Sequence, residues 1–236
     1  MNPTSNYSIF SYFGNANDNV KVQGDYDEKS FLSLQQKISR NLSVPLFFLK
    51  QTHSNDVYIL KNTIKKPLDL FRYEGDAIIT QEKNIGIGVV TADCLPIILH
   101  DKKNNVIAVI HAGWRGLVKK IITATITKMC NNFKTDANDL TVFLGPSAGV
   151  CCYEVQNDFL QYFPKNILEK KIIEQRAEKL FFNQQSATIA ELLENKITLK
   201  KIDIKNNVCT ICTRGFCSAR NEKENAGRQP TVAFLF

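Results

Sequence analysis

The sequence predicts an α+β fold, and three observations carry that expectation. Short apolar runs rich in strand formers recur at 46–49, 57–60, 76–80, 85–91, 95–100 and 106–111, separated by polar turns such as Lys102-Lys103-Asn104-Asn105. Stretches whose apolar residues recur at helical spacing lie between and beyond them. The two kinds of segment mix without strict strand–helix–strand alternation, so the pattern is not that of a wholly parallel α/β sheet.

Taken in order, the chain begins with a strand expected over 7–13. Across 27–42, Phe31, Leu34, Ile38 and Leu42 fall at near-helical spacing, with Asp27 or Ser30 available as the cap. Pro45 precedes the strand-forming Leu46-Phe47-Phe48-Leu49, and after a polar break at 51–56 comes Val57-Tyr58-Ile59-Leu60. Four further strands follow up to residue 111. Between 117 and 133, Val118, Ile121, Ile122, Ala124, Ile126, Met129 and Cys130 have the period of a helix packed on a sheet. A strand at 140–144 runs into the Gly145-Pro146 turn. Helices are expected at 155–163 and 186–195, before strands near 202–204 and 231–236. The interleaved charges of 169–176 read as the solvated face of a helix.

The 236 residues include 44% hydrophobic and 22% charged, a globular composition. A chain of this length buries about 70–75% of its unfolded surface. With no repeat, low-complexity block or Pro/Gly-rich linker, residues 1–236 are expected to form a single domain. No apolar run approaches the roughly 18 residues needed to span a bilayer. The first residues lack the basic and apolar regions of a secretory signal. A cytoplasmic protein without a membrane partner is therefore expected, and a monomer. Seven cysteines, an odd number in a chain too large to need staples, read as reduced thiols. The net charge of +7 is dispersed among acids, and neither a dense basic tract nor a nucleic-acid motif is present. The expectation is solubility rather than nucleic-acid binding.

Chemistry concentrates in few residues. Of three histidines, His53 and His111 fall at strand ends, as does Cys94 in Ala92-Asp93-Cys94-Leu95-Pro96. Two imidazoles and one thiolate suit tetrahedral zinc, and three protein ligands leave a fourth position for water or substrate. The same residues admit a second mechanism, with Cys94 as nucleophile, His111 as its base and Asp76 or Asp93 orienting the imidazole. His53 discriminates, because only the metal site requires it. His100 reads as a packed residue. Gly113-Trp114-Arg115-Gly116 just before a helix offers an anion backbone N–H groups and a guanidinium. Arg115 is accordingly the phosphate candidate, Arg220 and Arg228 add positive charge, and Trp114 offers an aromatic face. Cys209-Thr210-Ile211-Cys212 has no second CxxC, and the adjacent Cys151 and Cys152 lack metal-ligand spacing, so these thiols read as structural. The zinc nucleobase-deaminase signature is absent.

The motifs Gln51-Thr52-His53-Ser54, Gly75-Asp76-Ala77, Thr91-Ala92-Asp93-Cys94-Leu95-Pro96, His111-Ala112-Gly113-Trp114-Arg115-Gly116, Gly145-Pro146-Ser147-Ala148-Gly149 and Cys152-Tyr153-Glu154-Val155 occur in that order. With Cys209-Thr210, Phe216-Cys217-Ser218-Ala219-Arg220 and Gly227-Arg228-Gln229 they make the chain resemble the YfiH or laccase-domain family over about residues 45–236. The resemblance implies a single α+β domain of mixed sheets flanked by helices, related in its Cys–His arrangement to toxin deamidases. It implies a zinc-dependent purine nucleoside phosphorylase acting on adenosine, inosine and methylthioadenosine, with adenosine deaminase activity. Older family labels are polyphenol or multicopper oxidase, which make copper the alternative ion, and some relatives are linked to peptidoglycan editing. The implied metal ligands are His53, Cys94 and His111. Two departures are visible: the family's N-terminal S-T-R reads Ser11-Tyr12-Phe13, and its F-S-x-R-R reads Cys217-Ser218-Ala219-Arg220-Asn221.

Three competing readings make different demands. A Cys–His amidase acting on a peptidoglycan precursor would need no phosphate. A multinuclear copper oxidase needs more imidazoles than three histidines supply. A basic nucleic-acid-binding protein would bind with steep salt dependence and ignore Cys94 substitution. In the phosphorylase reading, Asp76 and Asp93 are the candidate proton donors to the leaving purine, or else orient a metal ligand.

Overall fold

The computed structural model describes residues 9–20, 32–34, 36–37, 44–61, 71–83, 85–163 and 171–236. Runs of β-branched and aromatic residues give the strands β1 (Ile9–Phe13), β2 (Leu46–Phe48), β3 (Val57–Leu60), β4 (Ala77–Thr80), β5 (Gly86–Thr91), β6 (Leu95–Asp101) and β7 (Val106–Ala112). After them come β8 (Thr141–Leu144), β9 (Glu154–Val155), β10 (Ile173–Arg176), β11 (Lys179–Phe182), β12 (Ile202–Asp203) and β13 (Gln229–Leu235). The helices are α1 (Trp114–Val118), α2 (Ile121–Phe133), α3 (Gln184–Glu194) and α4 (Ala219–Glu222). The class is α+β, as the sequence predicts.

A six-stranded sheet has the order β12-β8-β6-β7-β4-β3, and a four-stranded sheet the order β1-β13-β5-β2. Both mix parallel and antiparallel pairs: β3 runs parallel to β4 and β2 to β5, whereas β6, β7 and β4 are antiparallel. A third, three-stranded sheet has the order β10-β11-β9.

The six-stranded sheet is buried on both faces, and the period-two alternation of β7 shows how. Val106, Ala108 and Ile110 join Ile121, Ile122, Ile126 and Met129 of α2 in one core cluster. Ile107 and Val109 point the other way, into a cluster with Ile87 and Val89 of β5 and Ala233 and Leu235 of β13. Each fully buried Ile or Val contributes roughly 1.5–3 kcal/mol to this two-layer core. Strands enclosed on both faces read as continuous apolar runs, which is why they stand out in the sequence.

Three local expectations are corrected. The helix expected over 117–133 is divided at Lys120, whose φ of 63° is left-handed, so α1 and α2 take different directions. Residues 155–163 are not an α-helix: Val155 ends β9, and Asn157–Tyr162 is a 3₁₀ segment. The apolar spacing there serves an aromatic cluster, with Phe159 and Phe163 about 5 Å from the ring of Phe182. The charged run 169–176 contains β10, where Glu174 and Arg176 pair at 2.7 Å. Residues two apart share a strand face but not a helix face, so that ion pair belongs to the strand. The strand expected near 202–204 is present as the two-residue β12. Of the helix expected over 27–42, only 32–34 and 36–37 lie among the described residues, and these are helical.

Candidate metal centre

Strand register builds the site. In the antiparallel β4–β7 pair, Ala77 faces Ile110, so Asp76 and His111 are the next partners along, and the His111 N–H donates to the Asp76 carbonyl at 2.7 Å. Both side chains fall on the face that carries Ile78, Ile107 and Val109, toward the second sheet. They meet there: His111 Nδ1 lies 2.7 Å from Asp76 Oδ1. On the other side of β7, Leu95 pairs with Ala112, which brings Cys94, in the turn before β6, alongside Gly113.

His53 arrives from the loop between β2 and β3 with a left-handed backbone, φ 57°. Its loop is wrapped around the same carboxylate. Asp76 accepts from the backbone N–H groups of Thr52, His53 and Ser54 at 3.2, 3.0 and 2.7 Å and from the Ser54 hydroxyl at 2.8 Å. Gln51 fixes the loop's other end by exchanging two 2.8 Å bonds between its amide and the backbone of Val90. One buried carboxylate therefore positions both histidines.

The ligand atoms of His53, Cys94 and His111 lie within 4.8 Å of one another. Cys94 Sγ is 3.9 Å from His53 Nε2, and the imidazole rings stand edge to face with centroids 4.8 Å apart. An N and an S ligand on one tetrahedral zinc are separated by about 3.6 Å, from bond lengths of roughly 2.05 and 2.3 Å. Because Nδ1 of His111 is taken by Asp76, Nε2 is the ring atom left to ligate. The donor set and its spacing fit one metal ion. Gly113 admits this closeness: a Cβ there would lie 3.0 Å from Cys94 Sγ and 3.1 Å from His53 Cδ2.

The electrostatics match. Burial pushes the Asp76 carboxyl up, but the bonds from His111 and Ser54 outweigh it and hold the group well below the usual carboxylate range. Burial also raises Cys94, yet His111 and His53 bring the thiol down to about 6. Burial disfavours the His111 cation, and the Cys94 thiolate and Asp76 reverse this, lifting it to about 9.

The triad opens on a cavity of about 450 Å³ that also receives Trp114, Arg115, Arg220 and Arg228 together with Tyr153. The Arg115 guanidinium lies 4.3 Å from the centroid of the Trp114 ring, and Arg220 lies 4.8 Å from that of Tyr153. Arg228 donates to the carbonyls of Ala226 and Gly227. His53, Asp93, Cys94, His111, Trp114, Arg115, Arg220 and Arg228 thus line one cavity, whereas Asp76 lies behind it, bonded to His111 and the His53 loop, and Asp93 also serves internal bonds. Asp93, left-handed at φ 83°, accepts from the Thr210 and Ser218 hydroxyls at 2.7 and 3.1 Å and from the Arg220 N–H at 2.8 Å. It ties the C-terminal segment to the turn that carries Cys94.

Sequence reasoning assigned no role to Gln51, Tyr153 or Gln184. The last is buried and donates to the carbonyls of Asp93 and Ala148 at 2.8 Å. Gln51 and Tyr153 stand inside quoted motifs, whereas Gln184 sits at the start of a polar run with no local signal.

Comparison with known proteins gives a consistent result. The family model described as multi-copper polyphenol oxidoreductase laccase matches residues 11–235. A purine nucleoside phosphorylase of Aquifex aeolicus (strain VF5) is 39% identical over 186 residues, covering 79% of this chain and 81% of the relative. Adenosine deaminase RL5, from an unknown prokaryotic organism, is 32% identical over 188 residues, covering 76% and 71%. The crystal structure of the hypothetical protein YfiH from Bacillus licheniformis shares the fold, with a TM-score of 0.86 over 97% of this chain and 93% of that one at 20% identity.

Proposed function

The chain belongs to this laccase-domain family, and from that premise we propose that it is a zinc-dependent purine nucleoside phosphorylase. Its substrates are adenosine, inosine and S-methyl-5′-thioadenosine with inorganic phosphate, and it also deaminates adenosine. The observation that carries the reading is the convergence of His53, Cys94 and His111 at a cavity bearing three arginines and the aromatic rings of Phe71, Trp114 and Tyr153. The names of the two relatives support the two activities.

His53, Cys94 and His111 would hold the ion. When bound, zinc supplies a Lewis acid that stabilises developing negative charge and lowers the pKa of a water. Asp76 keeps the His111 proton on Nδ1 and fixes the His53 loop, so it is a positioning residue. Asp93 holds the Arg220 segment against the cavity and is likewise a positioning residue. Arg115, Arg220 and Arg228 present positive charge to phosphate, whose oxygen displaces the purine at the ribose anomeric carbon. Trp114 and Tyr153 supply flat apolar surface for the base. In deamination, water replaces ammonia at the purine ring. The protein acts as a cytoplasmic monomer of one domain, residues 1–236. Among the described residues, no helix is long and apolar enough to cross a membrane.

A second reading has a specific observation behind it. Cys94, His111 and Asp76 stand in the order nucleophile, base and orienting carboxylate, with the thiol lowered to about 6, as an amidase acting on a peptidoglycan precursor would require. Copper oxidase chemistry is not favoured, because the third histidine, His100, is buried at the opposite end of β6 from Cys94.

The test is a chromatographic assay of adenosine, inosine and methylthioadenosine with and without phosphate, comparing wild type, Cys94→Ala and His53→Ala. Phosphate-dependent release of free base, lost in both variants, is expected. No turnover of any nucleoside by metal-loaded protein would sink the phosphorylase, and amide cleavage surviving His53→Ala would establish the amidase.

A further inference from the structure

Away from the cavity, the fold gathers four more thiols. Cys151 and Cys152 lie in the turn before β9, and Cys209 and Cys212 in the loop after β12. Nothing in the linear spacing joins them, yet their sulfurs all lie within 4.8 Å of one another. We infer that Cys151, Cys152, Cys209 and Cys212 bind a second metal ion, a zinc held by four thiolates, which fastens two loops behind the wall of the cavity.

Distance supports this directly. With a Zn–S bond of about 2.3 Å, the edge of a tetrahedral tetrathiolate site is about 3.8 Å. The Cys151 and Cys212 sulfurs are 3.7 Å apart. A disulfide would require about 2.05 Å. Four sulfurs packed at van der Waals distance and partly open to solvent gain little from one another, whereas a soft divalent cation satisfies all four.

The backbone around the cluster is arranged for anionic sulfur. The Gly149 N–H donates to Cys209 Sγ at 3.3 Å, and the N–H groups of Ile211 and Cys212 point at the same sulfur. In a C-x-x-C loop this aims the amides two and three residues further on at the first thiolate, where they offset its charge. Gly149 eases the approach: a Cβ would stand tightly against Cys209 Cβ at 3.0 Å and Cys151 Sγ at 3.1 Å. The two loops are registered before any metal arrives. Ser147 N–H donates to the Val208 carbonyl at 3.0 Å, and Thr210 N–H to the Ser147 carbonyl at 2.9 Å. Arg176, ion-paired with Glu174, donates to the Cys151 carbonyl at 3.3 Å and so ties β10 to the Cys151 turn.

Four protein ligands leave no open position, so this ion is structural. What it would hold is clear from its neighbours. Cys152 is followed by Tyr153, which lines the cavity, and Cys209 by Thr210, whose hydroxyl bonds Asp93 next to Cys94. Cys130 and Cys217 belong to neither cluster.

The experiment counts metal in the full chain purified with zinc under reducing conditions, for wild type, Cys94→Ala, Cys212→Ser, the double variant and Cys130→Ser. Two equivalents are expected in wild type and in Cys130→Ser, one in each single cluster variant and none in the double. X-ray absorption on the zinc retained by Cys94→Ala needs no change to the thiol cluster and is expected to show a shell of four sulfurs at about 2.3 Å. Replacing that zinc with cobalt(II) should give intense thiolate charge-transfer bands that Cys212→Ser abolishes. Metal-free Cys94→Ala, a nitrogen- and oxygen-rich shell, or a Cys151–Cys212 disulfide in the freshly reduced protein would each overturn the inference.

Discussion

The cluster of His53, Cys94 and His111 takes its ligands from a loop, the turn before β6 and strand β7, while Cys151, Cys152, Cys209 and Cys212 all sit on two loops. The first is oriented by a fully buried carboxylate, Asp76, that fixes one imidazole and the loop of the other. The second is oriented by backbone N–H groups and a loop-to-loop ladder. The first mixes nitrogen with sulfur and faces a cavity; the second is all sulfur and complete in itself. Ligand number and supporting structure, rather than the mere presence of donors, separate a reactive site from a fastening.

The largest effect that would break this contrast comes from His111→Ala. Nucleoside turnover should fall to background in the chromatographic assay, while the tetrathiolate zinc stays bound by metal analysis. Loss of both ions would mean that the two clusters are one cooperative unit.

Asp76→Asn should follow, with about 10–100-fold weaker metal binding or activity, since the altered group sets ligand orientation without touching the ion. The measurement is zinc competition against a chromophoric chelator. An affinity equal to wild type would show that strand register alone positions the histidines.

Gly113→Ala is next. The added methyl would stand about 3 Å from both Cys94 and His53. Zinc binding at the reactive cluster should weaken more than overall stability, so the same competition assay is paired with thermal unfolding. Equal affinity would mean that the loop yields freely.

Proton titration sharpens the comparison in metal-free protein. His111 is raised to about 9, so its contribution to stability is complete below its unfolded value of about 6.5 and lost as pH rises through 9. Cys94 is lowered to about 6, so its contribution is complete above its unfolded value of about 8.5 and lost as pH falls through 6. The thiolate–imidazolium pair thus exists between about pH 6 and 9. Alkylation of Cys94, followed by peptide mass spectrometry, should titrate with a midpoint near 6, whereas Cys130, raised by burial, should react only at higher pH. A Cys94 midpoint near 8.5 would remove the pair.

The smallest effect is expected from Arg115→Ala, because the side chain is exposed. The KM for phosphate should rise about two- to five-fold, as for an exposed ionic contact, with deamination unaffected. A matching loss in deamination would assign Arg115 to the nucleoside instead.

The sequence was most readable where the physics is local or periodic. β5, β6 and β7 are enclosed on both faces, and their continuous apolar runs announce them. β10 was unreadable for the opposite reason. Its half-buried Glu174 and exposed Gln175 and Arg176 carry no apolar alternation, and only pairing with β11 makes it a strand. His53, Cys94 and His111 could be singled out because histidine is scarce and each lies at an abrupt change from apolar to polar. That Asp76 would bond both histidine segments, and Asp93 the C-terminal segment, depends on register between distant strands. In the sequence the four clustered cysteines read as structural thiols without a metal, because 56 residues separate Cys152 from the next cysteine of the set, with 209 as the first in its own pair. Ligand spacing along a chain is informative only when one loop supplies the set.

β13 follows every other described strand in the chain, yet it lies inside its sheet, paired with β1 from Ile9↔Leu235 and with β5 from Ala233↔Ile87. During synthesis β1 and β5 therefore wait with unpaired edges until residues 229–235 emerge. Such long-range closure slows folding and leaves the nascent chain open to mispairing. Gln229, at the start of β13, also bonds the Cys217 backbone N–H at 2.7 Å, just ahead of the segment that Asp93 anchors. The cavity is thus completed only after every proposed metal ligand has been made, so a chain stopped before residue 229 would hold all of those ligands and still lack the strand that joins β1 to β5.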